Sequence, residues 1–211
     1  MLAGWEFQRE AIMKRLFACF IGCAALVLSA SAMAQDPSRP SISLETPAWF
    51  AQQACPAPVW NGVIAVWKGT TDTRHEKVIG VQTKKGQEPI EVVANPPLDA
   101  AFDKALRDLF VACGMKFVEK TEGETPRLSA EIKDFYAGVE KKLVTGKSVA
   151  KSMLTLVIDK GITTKTVDVG MEMESKDVRK GDIKGLTNAL NKLFIETLKQ
   201  IPTTQQLRDL K

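Results

Sequence analysis

Across residues 95–118 the apolar side chains Leu98, Ala101, Phe102, Ala105, Leu106, Leu109, Phe110 and Cys113 recur at i, i+3, i+4 and i+7, with Asp99, Asp103, Lys104, Arg107 and Asp108 between them. That spacing predicts an α-helix with one continuous apolar stripe. Asn95 suits its N-cap, Pro96 and Pro97 suit a first turn whose N–H groups lack partners, and Gly114 suits the left-handed residue that ends it. A second stripe of Ile183, Leu186, Leu190, Leu193, Phe194 and Ile201 starts at Asp182 as N-cap and stops at Pro202. Elsewhere the period is shorter. Val63, Ile64, Ala65, Val66 and Trp67 form an apolar run that predicts a strand buried on both faces beside the first helix. Residues 78–81 and 90–93 flank a turn at 84–87 and predict a hairpin, and residues 115–118 a short strand.

Further on, Leu128, Ala130 and Ile132 alternate with Ser129, Glu131 and Lys133, which marks a strand with one wet face. Residues 149–158 are rich in β-branched and aliphatic residues, and Val167, Val169, Met171 and Met173 alternate beyond the turn at Asp159-Lys160-Gly161. Residues 127–174 therefore read as three antiparallel strands, with the charged stretch 136–147, broken by Gly138 and Gly146, as a long hairpin connection. The order β, hairpin, α, β, β, β, α predicts one α+β domain over residues 59–202, a mixed and largely antiparallel sheet with two helices packed on one face. Residues 35–58 read as an extended arm that docks through Trp49 and Phe50, and residues 203–211 as a polar tail.

Residues 1–34 stand apart from this domain, because they read as a signal peptide. Met13-Lys14-Arg15 is basic, residues 16–28 are small and apolar, and Ala32-Met33-Ala34 has the small-x-small form that predicts cleavage before Gln35. Trp5, Glu6 and Glu10 upstream are foreign to such a segment and point to Met13 as the true start. Phe20-Ile21-Gly22-Cys23 resembles a lipobox, which gives the alternative of an outer-membrane lipoprotein anchored at Cys23. The apolar run before Cys23 is short and continues after it, so a cleaved, periplasmic protein is the expectation. With Cys19 and Cys23 removed, Cys55 and Cys113 remain as an even pair in an oxidising compartment, which predicts a disulfide, although Cys113 on the helix stripe equally suits a buried free thiol. The net charge of +4 is spread evenly and offers no basic stripe for nucleic acid.

The elements resemble the YajG-like family of uncharacterised bacterial lipoproteins in order and local character. The likeness lies in Val63-Ile64-Ala65-Val66-Trp67, Asp72-Thr73-Arg74, Val78-Ile79-Gly80, Cys113-Gly114-Met115-Lys116-Phe117 and Gly185-Leu186-Thr187-Asn188-Ala189-Leu190. It implies a small α+β envelope domain and carries no catalytic signature. Members of that family are typically lipidated, whereas here the best cleavage site is not followed by cysteine.

Candidate chemistry is sparse. His75 is the only histidine, set between Arg74 and Glu76 in a polar connector, too few ligands for a zinc site and no partner for serine or cysteine nucleophiles. No glycine pattern cradles phosphate, so no cofactor is expected. Asp72 and Arg74 after the first strand are candidates for polar recognition, with a locally paired turn as the stronger reading. Trp60 and Trp67 bracket the same strand and either line an apolar groove or fill the core, as Met153, Met171 and Met173 do. Glu140-Lys141-Lys142 and Lys147 suit either anionic head groups or a solvated hairpin tip. These features predict a non-enzymatic exported protein that binds envelope proteins or lipids, with a carrier of a lipid or other apolar ligand, its cleft near Trp60 and Trp67, as the alternative.

Overall fold

The computed structural model describes residues 39–82, 87–119, 125–141, 146–175 and 182–210. The predicted signal peptide with Cys19 and Cys23 lies outside the described residues, as do Lys142 and the side chains of Glu140, Lys141 and Lys147.

The sheet is built around β6 (Arg127–Lys141), which pairs antiparallel along its whole length with β7 (Gly146–Lys160). β8 (Thr163–Glu174) then pairs antiparallel with β7, so the three predicted strands stand side by side. The opposite edge of β6 takes two partners end to end. β2 (Ile64–Asp72) runs parallel to it as far as Ile132, and β3 (Val78–Gln82) joins it, again parallel, at Ala137. β4 (Ile90–Ala94) completes the predicted hairpin with β3, β1 (Ser41–Ile42) adds a parallel strand to β4, and β5 (Lys116–Phe117) lies parallel on the outer edge of β2. All eight belong to one mixed sheet.

The apolar positions of β6 explain its shape. Leu128, Ala130 and Ile132 are buried, then the parity changes and Phe135 and Ala137 are buried. A side chain changes face at every residue, so this switch demands an extra residue, and the pairing with β7 shifts between Ile132 and Asp134 as a β-bulge. The strand thus continues through the stretch that the charge pattern assigned to a long connection. Only residues 142–145 separate the paired ends Lys141 and Gly146, because a glycine inside a strand, such as Gly138, need not end it when a neighbouring side chain fills its space.

Helices α2 (Leu98–Ala112) and α3 (Ile183–Gln200) cover one face of the sheet, as the stripes require. Phe102 meets Phe135 and Phe194 edge-on, with ring centroids 5.5 and 4.7 Å apart, which locks both helices to β6 through aromatic contacts. Each such buried ring contributes about 1.5–3 kcal/mol through removal from water. Gly114, at φ +95°, ends α2 as expected. Its N–H bonds to Val111 O while Met115 N–H bonds to Phe110 O, the paired arrangement that satisfies the last carbonyls. Pro97 rather than Asn95 occupies the N-cap of α2, without a side-chain hydrogen bond, whereas Asp182 caps α3 by accepting from Gly185 N–H.

Three local expectations change. The predicted arm is folded onto the core: β1 carries the buried Ile42, α1 (Phe50–Ala54) carries the buried Phe50, and Leu44 and Cys55 are buried too, while Trp49 is 47% exposed. The predicted tail forms a 3-10 turn (Ile201–Thr203) and α4 (Gln205–Arg208), with Leu207 and Leu210 buried. Ile64 of β2 is 49% exposed, so that strand is wet at its start instead of buried on both faces. Cys55 and Cys113 form a disulfide between the residue after α1 and the C-cap of α2, with Cα atoms 5.3 Å apart.

Candidate functional site

The two partners of β6 leave a gap, and Asp72 and Arg74 sit in it. β2 ends opposite Ile132 and β3 is bridged to β6 where Gly80 faces Ala137, so the intervening carbonyls on that edge lose strand partners. The Arg74 guanidinium replaces them, with Nη1 donating to Phe135 O at 2.8 Å and to Val78 O at 3.1 Å. Asp72 holds the guanidinium in place, accepting Nε at Oδ1 (2.9 Å) and Nη2 at Oδ2 (2.8 Å), and it also accepts Arg74 N–H. Thr73 N–H and Oγ1–H both donate to Ile132 O, which closes the edge from the other side. The two side chains are only 9% and 7% exposed. Burial pushes the Asp72 carboxyl up, but the hydrogen bonds and charge of Arg74, aided by Lys77, outweigh it and hold the group below the usual carboxylate value. The pair therefore joins strands, its charges spent on each other and on main-chain carbonyls.

On the outer face of the sheet, over this junction, lies an open groove of about 480 Å³. His75 and Glu76 from the β2–β3 connection form one wall, with Lys133 and Asp134 of the bulge, Tyr136 of β6 and Lys151 of β7 completing it. The bulge puts Lys133 and Asp134 together here, and the strand register sets Lys151 opposite Tyr136. Lys151 Nζ pairs with Asp134 Oδ2 at 3.0 Å, and Lys133 pairs with Glu131. Burial raises the Tyr136 pKa above its usual value, opposed by the charge of Lys151 and assisted by that of Glu76, so the phenol stays protonated and can donate at neutral pH.

Tyr136 is held down on the sheet. A Cβ at Gly138 would lie 2.3 Å from Tyr136 Oη and 2.5 Å from its ring, so the phenol occupies the space that any other residue at 138 would claim. Met153 does the same across the strands, its sulfur 2.9 Å from where a Cβ of Gly170 would stand. Glycine interrupts the side-chain rows of β6 and β8 here, and a neighbouring side chain lies flat in each gap.

The other sequence candidates lie elsewhere. Trp60 is fully buried against Phe110 and donates Nε1–H to Leu207 O at 2.7 Å. Trp67 is half-buried between Phe110 and Phe117 and donates to Asp103 Oδ1 at 2.8 Å. Both indoles are packed between sheet and helix, and neither lines the groove. No group of three or more His, Cys, Asp or Glu side chains is placed to hold a metal ion among the described residues. Of the residues singled out in the sequence, only Arg74 and His75, with Glu76 beside them, reach the groove; Lys133, Asp134, Tyr136 and Lys151 were not anticipated as site residues. The available signal was the parity switch in β6, which places two consecutive polar residues, Lys133 and Asp134, in a buried strand.

No curated protein sequence matches this chain. Solved structures similar to it include an uncharacterized protein at 11% identity, covering 82% of this chain and 99% of that one, with a TM-score of 0.45. A protein from Xanthomonas campestris is 10% identical over 77% of this chain and 91% of its own, with a TM-score of 0.48. A minor lipoprotein from Acinetobacter baumannii is 9% identical over 64% and 91%, with a TM-score of 0.30. Residues 62–210 match the family described as uncharacterized lipoprotein. The chain therefore belongs to the YajG family of uncharacterized lipoproteins, and with it to the exported, envelope-associated proteins.

Proposed function

We propose that this protein is a non-enzymatic binding module of the cell envelope and that it engages its target through the groove over the β2–β3 junction. The observation that carries this reading is the convergence there of His75, Glu76, Lys133, Asp134, Tyr136 and Lys151, drawn from three separate segments onto an otherwise regular wet sheet face. Loops and irregularities positioned by a rigid scaffold are where binding groups concentrate. The scaffold is rigid at this point because the Arg74–Asp72 pair ties β2, β3 and β6 together directly behind the groove. Lys151 and Lys133 are each matched by a carboxylate, an arrangement suited to recognising a polar surface rather than to activating a nucleophile. A carrier for an apolar ligand finds less support, since Trp60 fills the core and its N–H is already bonded.

Photocrosslinking in cells tests the reading. A benzophenone amino acid replacing His75 or Lys133 is expected to form a discrete adduct with an envelope component, whereas the same group at the exposed Lys104 of α2 is not. The absence of adducts at both groove positions, or equal labelling from position 104, would refute it. The intact mass of the adduct-free protein from envelope fractions reports at the same time whether the mature chain starts at Gln35 or at an acylated Cys23.

A further inference from the structure

We infer that the groove takes a saccharide, with one sugar ring stacked on the exposed side of Tyr136 and its hydroxyls held by the Asp134–Lys151 pair. The inference rests on the reading of the groove as a binding site and names the chemistry that it would recognise.

The argument starts from the ring. Tyr136 is half-buried, and the missing Cβ of Gly138 lets the phenol lie down along β6 instead of standing away from the sheet. An aromatic ring lying on a sheet shields one face and offers the other, whose π electrons carry the negative end of a quadrupole. The C–H groups along one side of a pyranose carry partial positive charge in a flat array, so they complement such a face. A sugar also presents adjacent hydroxyls, each at once donor and acceptor. Asp134 can accept from one and Lys151 can donate to another, 3.0 Å apart across the pair. The Tyr136 hydroxyl, kept protonated, and His75 and Glu76 on the far wall extend the same mixed lining.

Alternatives fit less well. A phosphate or other strong anion asks for cations in excess, yet Lys133 and Lys151 each face a carboxylate and Arg74 is spent on Asp72 and two carbonyls. A lipid chain asks for an apolar channel, and this lining is charged. The volume of about 480 Å³ lies within the range of about 300–1,000 Å³ usual for small-molecule sites.

Tyr136 is the only tyrosine of the chain, which makes the test specific. Protein carrying 3-fluorotyrosine should show one fluorine resonance, to be titrated with chitotetraose and with maltotetraose at millimolar concentrations. At least one of the two is expected to move that resonance saturably. By calorimetry Tyr136→Phe should bind within about threefold of wild type because the ring remains, and Tyr136→Ala about tenfold more weakly. Gly138→Ala, which displaces the ring, should weaken binding as Tyr136→Ala does, with circular dichroism showing that each variant is folded. A resonance unmoved by both saccharides overturns the inference, as does Tyr136→Ala binding like wild type. If saccharides fail while positions 75 and 133 still crosslink to an envelope protein, the saccharide assignment falls and the binding reading survives. If neither result appears, both fall.

Discussion

Replacing Arg74 should unfold this protein more readily than any change in the exposed groove, and the size of the effect follows from the geometry. Arg74→Ala removes two hydrogen bonds to main-chain carbonyls, at 2.8 and 3.1 Å, and two to Asp72, at 2.8 and 2.9 Å. It leaves a carboxylate that is 9% exposed with only the main-chain N–H of position 74, at 3.1 Å, and the longer 3.5 Å contact to Lys77. Stripping one partner from a buried ion pair costs about 3–5 kcal/mol, because the remaining charge stays out of water without compensation. With a urea slope of about 2 kcal/mol per molar for a domain of this size, the unfolding midpoint should fall by about 2 M. Arg74→Lys keeps the charge but has no planar fork to span Asp72 and two carbonyls, so it should recover less than half of the loss. The double variant Asp72→Asn with Arg74→Ala should be less damaging than the two single losses added together, since no buried charge is then orphaned. Tryptophan fluorescence and circular dichroism in urea measure all three. A fall below about 0.5 M for Arg74→Ala, or a wild-type midpoint for Arg74→Lys, would refute the reasoning that this pair joins β2, β3 and β6.

Three further outcomes are expected. Reduction of the Cys55–Cys113 bond, or replacement of both cysteines by alanine, frees a loop spanned by a sequence separation of 58 and should cost about 4 kcal/mol by the loop-closure relation, read from urea curves with and without reductant; a loss under about 1 kcal/mol would show that the denatured chain is already compact there. The lowered pKa of Asp72 means that the folded state holds this carboxylate ionised more strongly than the unfolded chain, whose value is about 3.9, so the stabilisation is present above that value and lost as pH falls through the lower folded one. Wild type should accordingly lose more stability than Asp72→Asn between neutral pH and about pH 3, and equal losses would contradict the assignment. Gly80→Ala should destabilise by about 1–3 kcal/mol, because its Cβ would stand 2.9 Å from both Ala137 O and Leu186 Cδ1 and push α3 off β3; thermal melts that match wild type would show that the helix can yield.

How much of this was legible in the sequence depended on whether a pattern was local. Both long helices, the hairpin and the three-stranded run announce themselves through a single period each, and Gly114 and Asp182 mark helix ends by residue-specific geometry. Residues 39–58 gave no such signal. Phe50 and Leu44 are buried by contact with a core built from distant segments, and β1 exists only because β4 offers an edge, which no local period records. The C-terminal turn is similar: its Leu207 carbonyl is bonded by Trp60, 147 positions earlier. In the same way Trp60 and Trp67 suit a groove or, more often in a domain of this size, the core, and only partners distant in the chain decide between them.

The groove depends on two facts that compound. Asp72 and Arg74 stood out because charged residues after a strand suggest a site, yet charge beside a strand end is also what a broken sheet edge needs. Here β6 is longer than either β2 or β3, and one guanidinium bonds to the Phe135 carbonyl between them. The same length difference brings the connection with His75 and Glu76 over β6, and the bulge that keeps Phe135 in the core turns Lys133 and Asp134 outward beneath it. A site assembled this way has no motif, because its residues are fixed by a strand-length mismatch and a parity correction. The parity correction is visible in one sequence: Leu128, Ala130 and Ile132 followed by Phe135 and Ala137 require an extra residue in the strand. Bulges re-aim side chains at functional positions, so such a break is a better pointer to the site than the charges that drew attention first.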